Sequence, residues 1–142
     1  MFKNILVAID GSKVSERALQ AAIDEARIRH AHLHVIYIIE TGLFSSLPMD
    51  NTWEVMCSLL EKEGKMALSK ANSAAVEAGV KLETAIRQGH AGSEIVRYAS
   101  EANADLVVVG SHGRSDVDRL LLGSVSSFVV GNCKAAVLVV RP

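Results

Sequence analysis

The sequence predicts one α/β domain, a Rossmann-like sandwich in which a five-stranded parallel sheet carries helices on both faces. Short, continuous apolar runs alternate with amphipathic segments along all 142 residues. Continuous apolar runs are typical of parallel strands covered on both faces. The alternation of strands with helices favours a parallel sheet, because each helical crossover returns the chain to the same end of the sheet. A chain with 49% hydrophobic and 22% charged residues can bury one core. We therefore expect a single domain over residues 1–142.

The first two strands flank an amphipathic helix. The apolar run NILVAID predicts strand one, which ends at Asp10. The segment SERALQAAIDEARIRH repeats its apolar residues at helical spacing, so a helix follows. The run HLHVIYIIE then predicts strand two.

The middle of the chain combines a loop with a long helix. Residues 41–52 contain glycine, proline and serines and are typical of a loop. A helix with a stripe of small residues is expected to run to Ala78, where Gly79 provides a C-terminal stop. The next segment, VKLETAIRQ, alternates more strongly than the other strands, which favours a position near a sheet edge.

The last third repeats the pattern and completes the sheet. SEIVRYASEAN predicts a short helix, and ADLVVVG predicts strand four. VSSFVVGNC belongs to a helix expected to begin near Leu120, and AAVLVVRP predicts strand five.

Charge and composition exclude several classes of function. The net charge of −1 gives no basic surface for nucleic acid, and no apolar run is long enough to span a membrane. The N-terminus lacks the features of a signal peptide. Cys57 and Cys133 are far apart and show no metal-ligand spacing. These observations favour a cytoplasmic protein with reduced thiols and no nucleic-acid or membrane partner.

Glycines mark the passage from strand four to the last helix. Gly110, Gly113 and Gly123 stand in VVVGSHGRSDVDRLLLGS, and Ser124 follows the third of them. Glycine allows a sharp turn or a positive φ, helix N-termini attract phosphate, and Arg114 could add charged contacts. On spacing alone, a phosphate cradle and a set of purely structural turn glycines explain the pattern equally well. The chain has neither a Walker A motif nor a G-x-G-x-x-G after strand one, which argues against P-loop and dinucleotide-binding proteins.

The combination of motifs resembles the ATP-binding branch of the universal stress protein family. That branch has the pattern Gly, two residues, Gly, nine residues, Gly, then Ser or Thr, and this chain matches it without a change of spacing. The opening ILVAIDGS, the pair His34–Val35 and the apolar last strand also match. The resemblance covers essentially residues 1–142. It implies the strand order 3-2-1-4-5 and an adenine nucleotide at the carboxyl edge of the sheet.

The resemblance also implies a set of nucleotide-binding residues. Asp10 would accept from the ribose hydroxyls or the adenine edge, and Val35 would bond adenine through its backbone. Ala8 stands where many members carry proline and belongs to the same set. Val109 would line the base pocket. The expected phosphate contacts are Gly110, His112, Gly113, Arg114, Gly123, Ser124, Val125 and Ser126.

Several of these residues also have ordinary structural explanations. Asp10 lies in an Asp-Gly-Ser sequence that favours turns, and His112 either touches phosphate or points to solvent. His90 is more simply a helix cap. His30, His32 and His34 alternate as metal ligands on one strand face would, but His30 and His32 lie at the exposed strand entrance, so no metal site is predicted. Asp116 and Asp118 point outward, pair with Arg119 or help to hold Mg²⁺.

Three functions remain open at this point. The first is a cytoplasmic regulatory or stress-tolerance protein that binds ATP, ADP or AMP, with or without Mg²⁺, and acts on a regulatory partner that the sequence does not identify. The second is a slow ATPase or nucleotide hydrolase, although no persuasive catalytic set is found. The third is a dimeric scaffold that binds no nucleotide. A homodimer through the last strand is expected, because an exposed apolar edge strand needs a cover.

Overall fold

The computed structural model describes residues 1–41, 51–112 and 122–142. Strands and helices alternate through these ranges, as the sequence predicts. The elements are β1 (Asn4–Ile9), α1 (Lys13–Arg29), β2 (His32–Glu40), α2 (Asn51–Glu77), β3 (Leu82–Gly89), α3 (Ala91–Glu101), β4 (Leu106–Gly110), α4 (Ser124–Asn132) and β5 (Ala136–Val140).

The strands form one parallel sheet in the order β3-β2-β1-β4-β5. This confirms the predicted fold class and strand order. The alternating strand, β3, lies at one edge and β5 at the other. After β1, the chain adds β2 and β3 on one side of it and then returns to add β4 and β5 on the other side. The strand order therefore reverses between β1 and β4, where folds of this kind hold their ligands beyond the carboxyl ends of the strands.

Two apolar layers enclose the sheet. On one face, buried side chains of β1 and β2 such as Val7 and Val35 pack with α1 and α2. On the other face, Leu6 and Ile36 pack with Ile95 of α3 and residues of α4. Since successive strand residues point to opposite faces, a strand buried on both sides has no polar alternation. This explains the continuous apolar runs in the sequence.

The small residues of α2 let this helix lie close to the sheet. A Cβ added at Gly64 would come within 2.7 Å of the Tyr37 ring, while Ala71 and Ala75 are fully buried. The helix ends at Glu77, and Gly79 has a φ of +74°, the left-handed conformation expected of a helix stop. The predicted C-terminal end of this helix is thus confirmed to within one residue.

The helix before β5 begins later than the sequence indicated. Residues 122 and 123 are not helical, and Gly123 is the N-cap of α4 with φ −71° and ψ 170°. The expected start near Leu120 is therefore wrong, since an apolar run alone does not show which residue is the cap. Within the described ranges, none of the helices combines the length and the apolarity that crossing a membrane requires.

Candidate functional site

An open crevice lies at the carboxyl ends of β1 and β4, where the strand order reverses. The space between its lining residues, including the part open to solvent, is about 550 Å³. One part of its wall is apolar and the rest is polar, so a flat apolar group and a polar group could bind side by side. The apolar lining residues include Ala8, Ile9, Ile38, Ala91, Ile95, Val109 and Val125, and the polar ones are Asp10, Ser15, Ser111, His112 and Ser126.

The turn between β1 and α1 holds Asp10 at the crevice. Its Oδ1 accepts from the Ser12 N–H at 2.8 Å, and Ser12 Oγ in turn accepts from the Ser15 N–H at 3.2 Å as the cap of α1. Gly11 has a φ of +84°, which a residue with a side chain adopts only under strain. The turn role and the ligand role of Asp10 are compatible, because an ionised carboxylate has two oxygens and accepts several hydrogen bonds.

Gly110 makes room for a helix rather than for a turn. A Cβ at this position would lie 2.6 Å from Cγ1 of Val14 in α1. Gly110 is not among the described glycines with a positive φ, and it still pairs with Val140 in the sheet. The expectation that this glycine allows a sharp turn is therefore wrong. A glycine is needed here because α1 crosses the end of β4 too closely for a side chain.

Ser111 joins the two ends of the glycine-containing segment. Its N–H donates to the Val140 carbonyl at 2.8 Å, and its own carbonyl accepts from the Gly123 N–H at 2.7 Å and from Ser126 Oγ at 2.9 Å. Ser111 is fully buried, and its Oγ lies 2.9 Å from Nδ1 of His112. These bonds fix the start of α4 against the end of β4.

His112 is buried beside the crevice. The residue is 7% exposed, so the alternative that it points to solvent is wrong. Its Nδ1 is engaged by Ser111, and its Nε2 is buried with no hydrogen-bond partner among the described residues. A buried polar atom without a partner costs free energy, which a ligand atom would recover.

The N-terminus of α4 differs from those of α1 and α3. Ser12 caps α1, and His90 caps α3 by accepting from the Ser93 N–H, which confirms the capping role expected of His90. Gly123 has no side chain and makes no such bond to α4. Ser126 Oγ bonds the carbonyls of Ser111 and Gly123 instead. The first-turn amides of α4, which have no partner inside the helix, are thus left without a side-chain acceptor from the cap.

Most of the residues expected at the nucleotide site come together. Gly123 and Ser124 lie at the N-terminus of α4, directly before two crevice residues. Gly113 and Arg114 lie outside the described residues, as do Asp116, Asp118 and Arg119. The expected residues that line the crevice are Ala8, Asp10, Val109, Gly110, His112, Val125 and Ser126.

Val35 is the exception. It is fully buried in the middle of β2, in register with Val7 of β1 on one side and Thr84 of β3 on the other. A backbone held between two strands has its hydrogen-bonding groups in the ladders, so Val35 lies inside the sheet, and its bond to adenine stays a prediction. The β2 residue that lines the crevice is Ile38, three positions later.

Several crevice residues were not predicted from the sequence: Ile38, Ser15, Ser111, Ile9, and Ala91 and Ile95 of α3. The β1–β2 register pairs Ile9 with Tyr37, so Ile38 stands beside the position where β1 ends. Matching the ends of neighbouring strands, rather than matching a dipeptide, would have found it. Ser111 carried no signal beyond its place next to Gly110.

The chain matches the universal stress protein family over residues 1–141. It belongs to that family. Universal stress protein MJ0531 of Methanocaldococcus jannaschii is 39% identical to it over 141 residues, which are 99% of this chain and 83% of the relative.

Solved structures of universal stress proteins share the fold. UspA from Lactobacillus plantarum superposes with a TM-score of 0.87 at 27% identity, covering 99% of this chain and 98% of the other. A universal stress protein in complex with cAMP superposes with a TM-score of 0.71 at 29% identity, covering 99% and 97%. The family thus includes a protein that binds an adenine nucleotide on the same fold.

Proposed function

We propose that this universal stress protein binds an adenine nucleotide in the crevice and acts as a cytoplasmic, nucleotide-dependent regulatory or stress-tolerance factor. The observation that carries the proposal is the uncapped N-terminus of α4 on the wall of a largely apolar crevice. The helix end provides amides for phosphate, and the apolar wall provides a surface for a base. The relative in complex with cAMP supports the same class of ligand.

The base and ribose are assigned to the sheet side of the crevice. Ala8, Ile38 and Val109 supply apolar contacts there, and each comes from a different strand. Asp10 lies beside them and accepts hydrogen bonds from the ribose hydroxyls.

The phosphates are assigned to the β4–α4 side. The amides of Ser124, Val125 and Ser126 sit at the positive end of the α4 dipole, and the unpartnered Nε2 of His112 offers one further polar contact. The spacing of the glycine motif adds Gly113 and Arg114 to this set. ATP is the ligand that we assign, because the motif is that of the ATP-binding branch.

Equilibrium titration with ATP, AMP and adenosine tests the assignment. We expect affinity to rise with the number of phosphates, because each one meets helix amides or charged groups. Mass spectrometry of the molecules released when the purified protein is denatured should show an adenine nucleotide. Equal affinity for all three ligands would contradict the phosphate site, and no binding at all would favour the scaffold.

Binding without rapid hydrolysis is the mode that the crevice supports. Catalysed phosphoryl transfer needs Mg²⁺ held by polar ligands and a positioned water. Of the described residues that line the crevice, Asp10 is the one carboxylate. We therefore assign the nucleotide the role of a regulatory ligand. Multiple-turnover ATP hydrolysis that disappears in Asp10→Asn would favour the slow hydrolase instead.

The protein is also proposed to form a homodimer through β5. This strand lies at the sheet edge, and Leu138 in its middle is 38% exposed. A symmetric partner strand would cover the unpaired backbone and this side chain. Leu138→Lys should shift the mass measured by light scattering from dimer to monomer. Ile28→Lys, at an exposed apolar residue of α1, is the matched control and should stay dimeric. A monomeric wild-type protein at micromolar concentration would contradict the proposal.

A further inference from the structure

Two histidines and a glutamate converge at the end of the sheet opposite the crevice. His34 of β2 is in register with Glu83 of β3, and His32 stands two residues earlier on the same face of β2. His34 Nδ1 lies 3.4 Å from Glu83 Oε2, and His32 Nε2 lies 3.7 Å from Glu83 Oε1. One donor atom from each of the three residues lies within 4.8 Å of the donor atoms of the other two.

We propose that His32, His34 and Glu83 form a binding site for a divalent transition-metal ion of the Zn²⁺ class. The ion would have three protein ligands and a fourth position open to solvent.

The spacing of the donor atoms suits tetrahedral coordination. Zn²⁺ binds nitrogen and carboxylate oxygen at about 2.0–2.2 Å, which places neighbouring ligand atoms about 3.3–3.6 Å apart. Glu83 contacts the two histidines through different oxygens, at 3.7 Å for His32 and 3.4 Å for His34, so a rotation of its carboxylate would bring one oxygen near both nitrogens. The adjustment falls on the more exposed side chains, His32 at 37% and Glu83 at 62%, rather than on His34 at 9%.

The ligand type selects among metal ions. Imidazole nitrogens suit Zn²⁺, Co²⁺, Ni²⁺ and Cu²⁺, whereas Mg²⁺ and Ca²⁺ prefer sites made of oxygen ligands. The Glu83 side chain is 62% exposed, which leaves room for water on one side of the ion. A site with two histidines, one carboxylate and one open position is therefore a transition-metal site rather than a magnesium site.

The surroundings hold His34 in place. Its side chain is 9% exposed, the Tyr98 hydroxyl lies 3.2 Å from its Nδ1, and the His32 ring packs edge-on at 4.7 Å. Burial lowers the pKa of His34, the neighbouring His32 lowers it further, and Glu83 raises it. The net direction favours the neutral imidazole, which is the form that ligates metals. Tyr98 must release Nδ1 when a metal binds.

Arg87, which lies beside Tyr98, is already paired with carboxylates. Arg87 stacks over the Tyr98 ring with its guanidinium carbon 5.0 Å from the ring centre. It forms a close ion pair with Glu101 at 2.6 Å and faces Glu94 at 4.0 Å. Its charge is thus offset by carboxylates and does not oppose a metal ion at the histidines.

The metal site is separate from the nucleotide crevice. His34 and Ile38 project from the same face of β2 and are four residues apart, which is about 13 Å along a strand. An ion bound at the histidines therefore cannot be the Mg²⁺ of a bound nucleotide, and the two kinds of binding can be tested independently.

The experiment titrates the full-length protein, first freed of metal with a chelator, with Zn²⁺ and Co²⁺. Calorimetry should show one Zn²⁺ per chain, and Co²⁺ should give the intense visible absorption of a four-coordinate ion. His32→Asn and Glu83→Gln, both at partly or largely exposed side chains, should each weaken Zn²⁺ binding at least 10-fold. Circular dichroism checks that these variants remain folded.

His30→Asn is the matched control. His30 caps α1 with a φ of +55°, a conformation that asparagine tolerates, and it is not part of the cluster. This variant should bind Zn²⁺ like the wild type, whereas Tyr98→Phe, which removes the hydroxyl that competes for Nδ1, should bind it more tightly. A double Cys57→Ser and Cys133→Ser variant should bind as well as the wild type.

Three results would overturn the proposal. In the first case, the wild-type protein would bind no Zn²⁺ at micromolar concentration. In the second case, His32→Asn and Glu83→Gln would bind Zn²⁺ as tightly as His30→Asn does. In the third case, binding would disappear with the cysteines. Each result would leave the cluster as a hydrogen-bonded and ionic contact between β2 and β3.

Discussion

The two ends of the parallel sheet satisfy their polar groups in different ways. At the carboxyl ends, the first turn of α4 and the Nε2 of His112 have hydrogen-bonding capacity that the described residues do not use. At the amino ends, His34 shares its Nδ1 with Glu83 and Tyr98, so the polar groups there contact one another. The first end is built largely from backbone donors and the second from side-chain ligands.

This difference underlies the two proposals, an anion at the carboxyl end and a metal ion at the amino end. Helix amides and a helix dipole attract anions, whatever the side chains at the helix start. Imidazole and carboxylate groups attract cations, but only when side chains from two strands are in the correct register. Anion attraction at the carboxyl end thus follows from the fold, whereas cation attraction at the amino end depends on His32, His34 and Glu83.

The largest expected effect comes from filling the space at Gly110. Gly110→Val places methyl groups where Val14 of α1 packs, and overpacking of this kind costs about 1–3 kcal/mol. The variant should unfold at lower denaturant concentration and lose nucleotide binding, while the amino-end cluster remains. Gly131→Ala is the control, because a Cβ there meets nothing within 4 Å. Equal stability of Gly110→Val and the wild type would contradict the packing role.

Asp10→Asn should weaken nucleotide binding about 10-fold, which corresponds to about 1.4 kcal/mol. Asparagine keeps an oxygen that can accept from the Ser12 N–H, so the turn survives while the charge is lost. Calorimetric titration with ATP measures the change, and the melting temperature should stay near that of the wild type. Asp24→Asn, on the outer face of α1, controls for the loss of one negative charge and should bind normally.

Ser126→Ala should reduce the free energy of unfolding by about 1 kcal/mol. Its buried hydroxyl bonds the carbonyls of Ser111 and Gly123 and so ties α4 to the end of β4. Urea denaturation measures the loss, and Ser127→Ala, one residue further and exposed, should change little. If both variants were equally stable, the hydroxyl of Ser126 would not hold the helix in place.

The smallest expected effect is the coupling between the two ends. Asp10→Asn and Glu83→Gln lie at opposite ends of the sheet and share no partner, so their effects on unfolding should add within about 0.5 kcal/mol. Nucleotide affinity should likewise be the same with and without Zn²⁺. A coupling above 1 kcal/mol would show that the two ends act as one unit through β2.

The fold was predictable because its signals are local and repeated. Each apolar run gave one strand, and the strong alternation of VKLETAIRQ placed β3 at an edge. Strand order came from the family resemblance rather than from the runs themselves. The start of α4 was misplaced because Leu122 continues an apolar run without being helical.

The candidate site was predictable where its residues follow directly from strand ends or from the glycine motif before α4. Asp10 and Gly110 stand at the ends of β1 and β4, and the structure places both at the crevice. Val35 lies away from the crevice, which a His–Val pair could not reveal because it shows neither register nor distance from the strand end. The role of Glu83 beside His34 depends on the pairing of β2 with β3, which no local pattern in the sequence reveals.

The length of β2 between its two functional ends has a consequence for sequence change. His34 and Ile38 face the same side because an even number of residues separates them. Inserting or deleting one residue between them would turn Ile38 toward α1 and α2 and remove it from the crevice, while His34 stayed beside Glu83. Inserting or deleting two residues would keep His34 and Ile38 on the same face of β2. Homologous chains that keep both features should therefore differ in this interval by even numbers only.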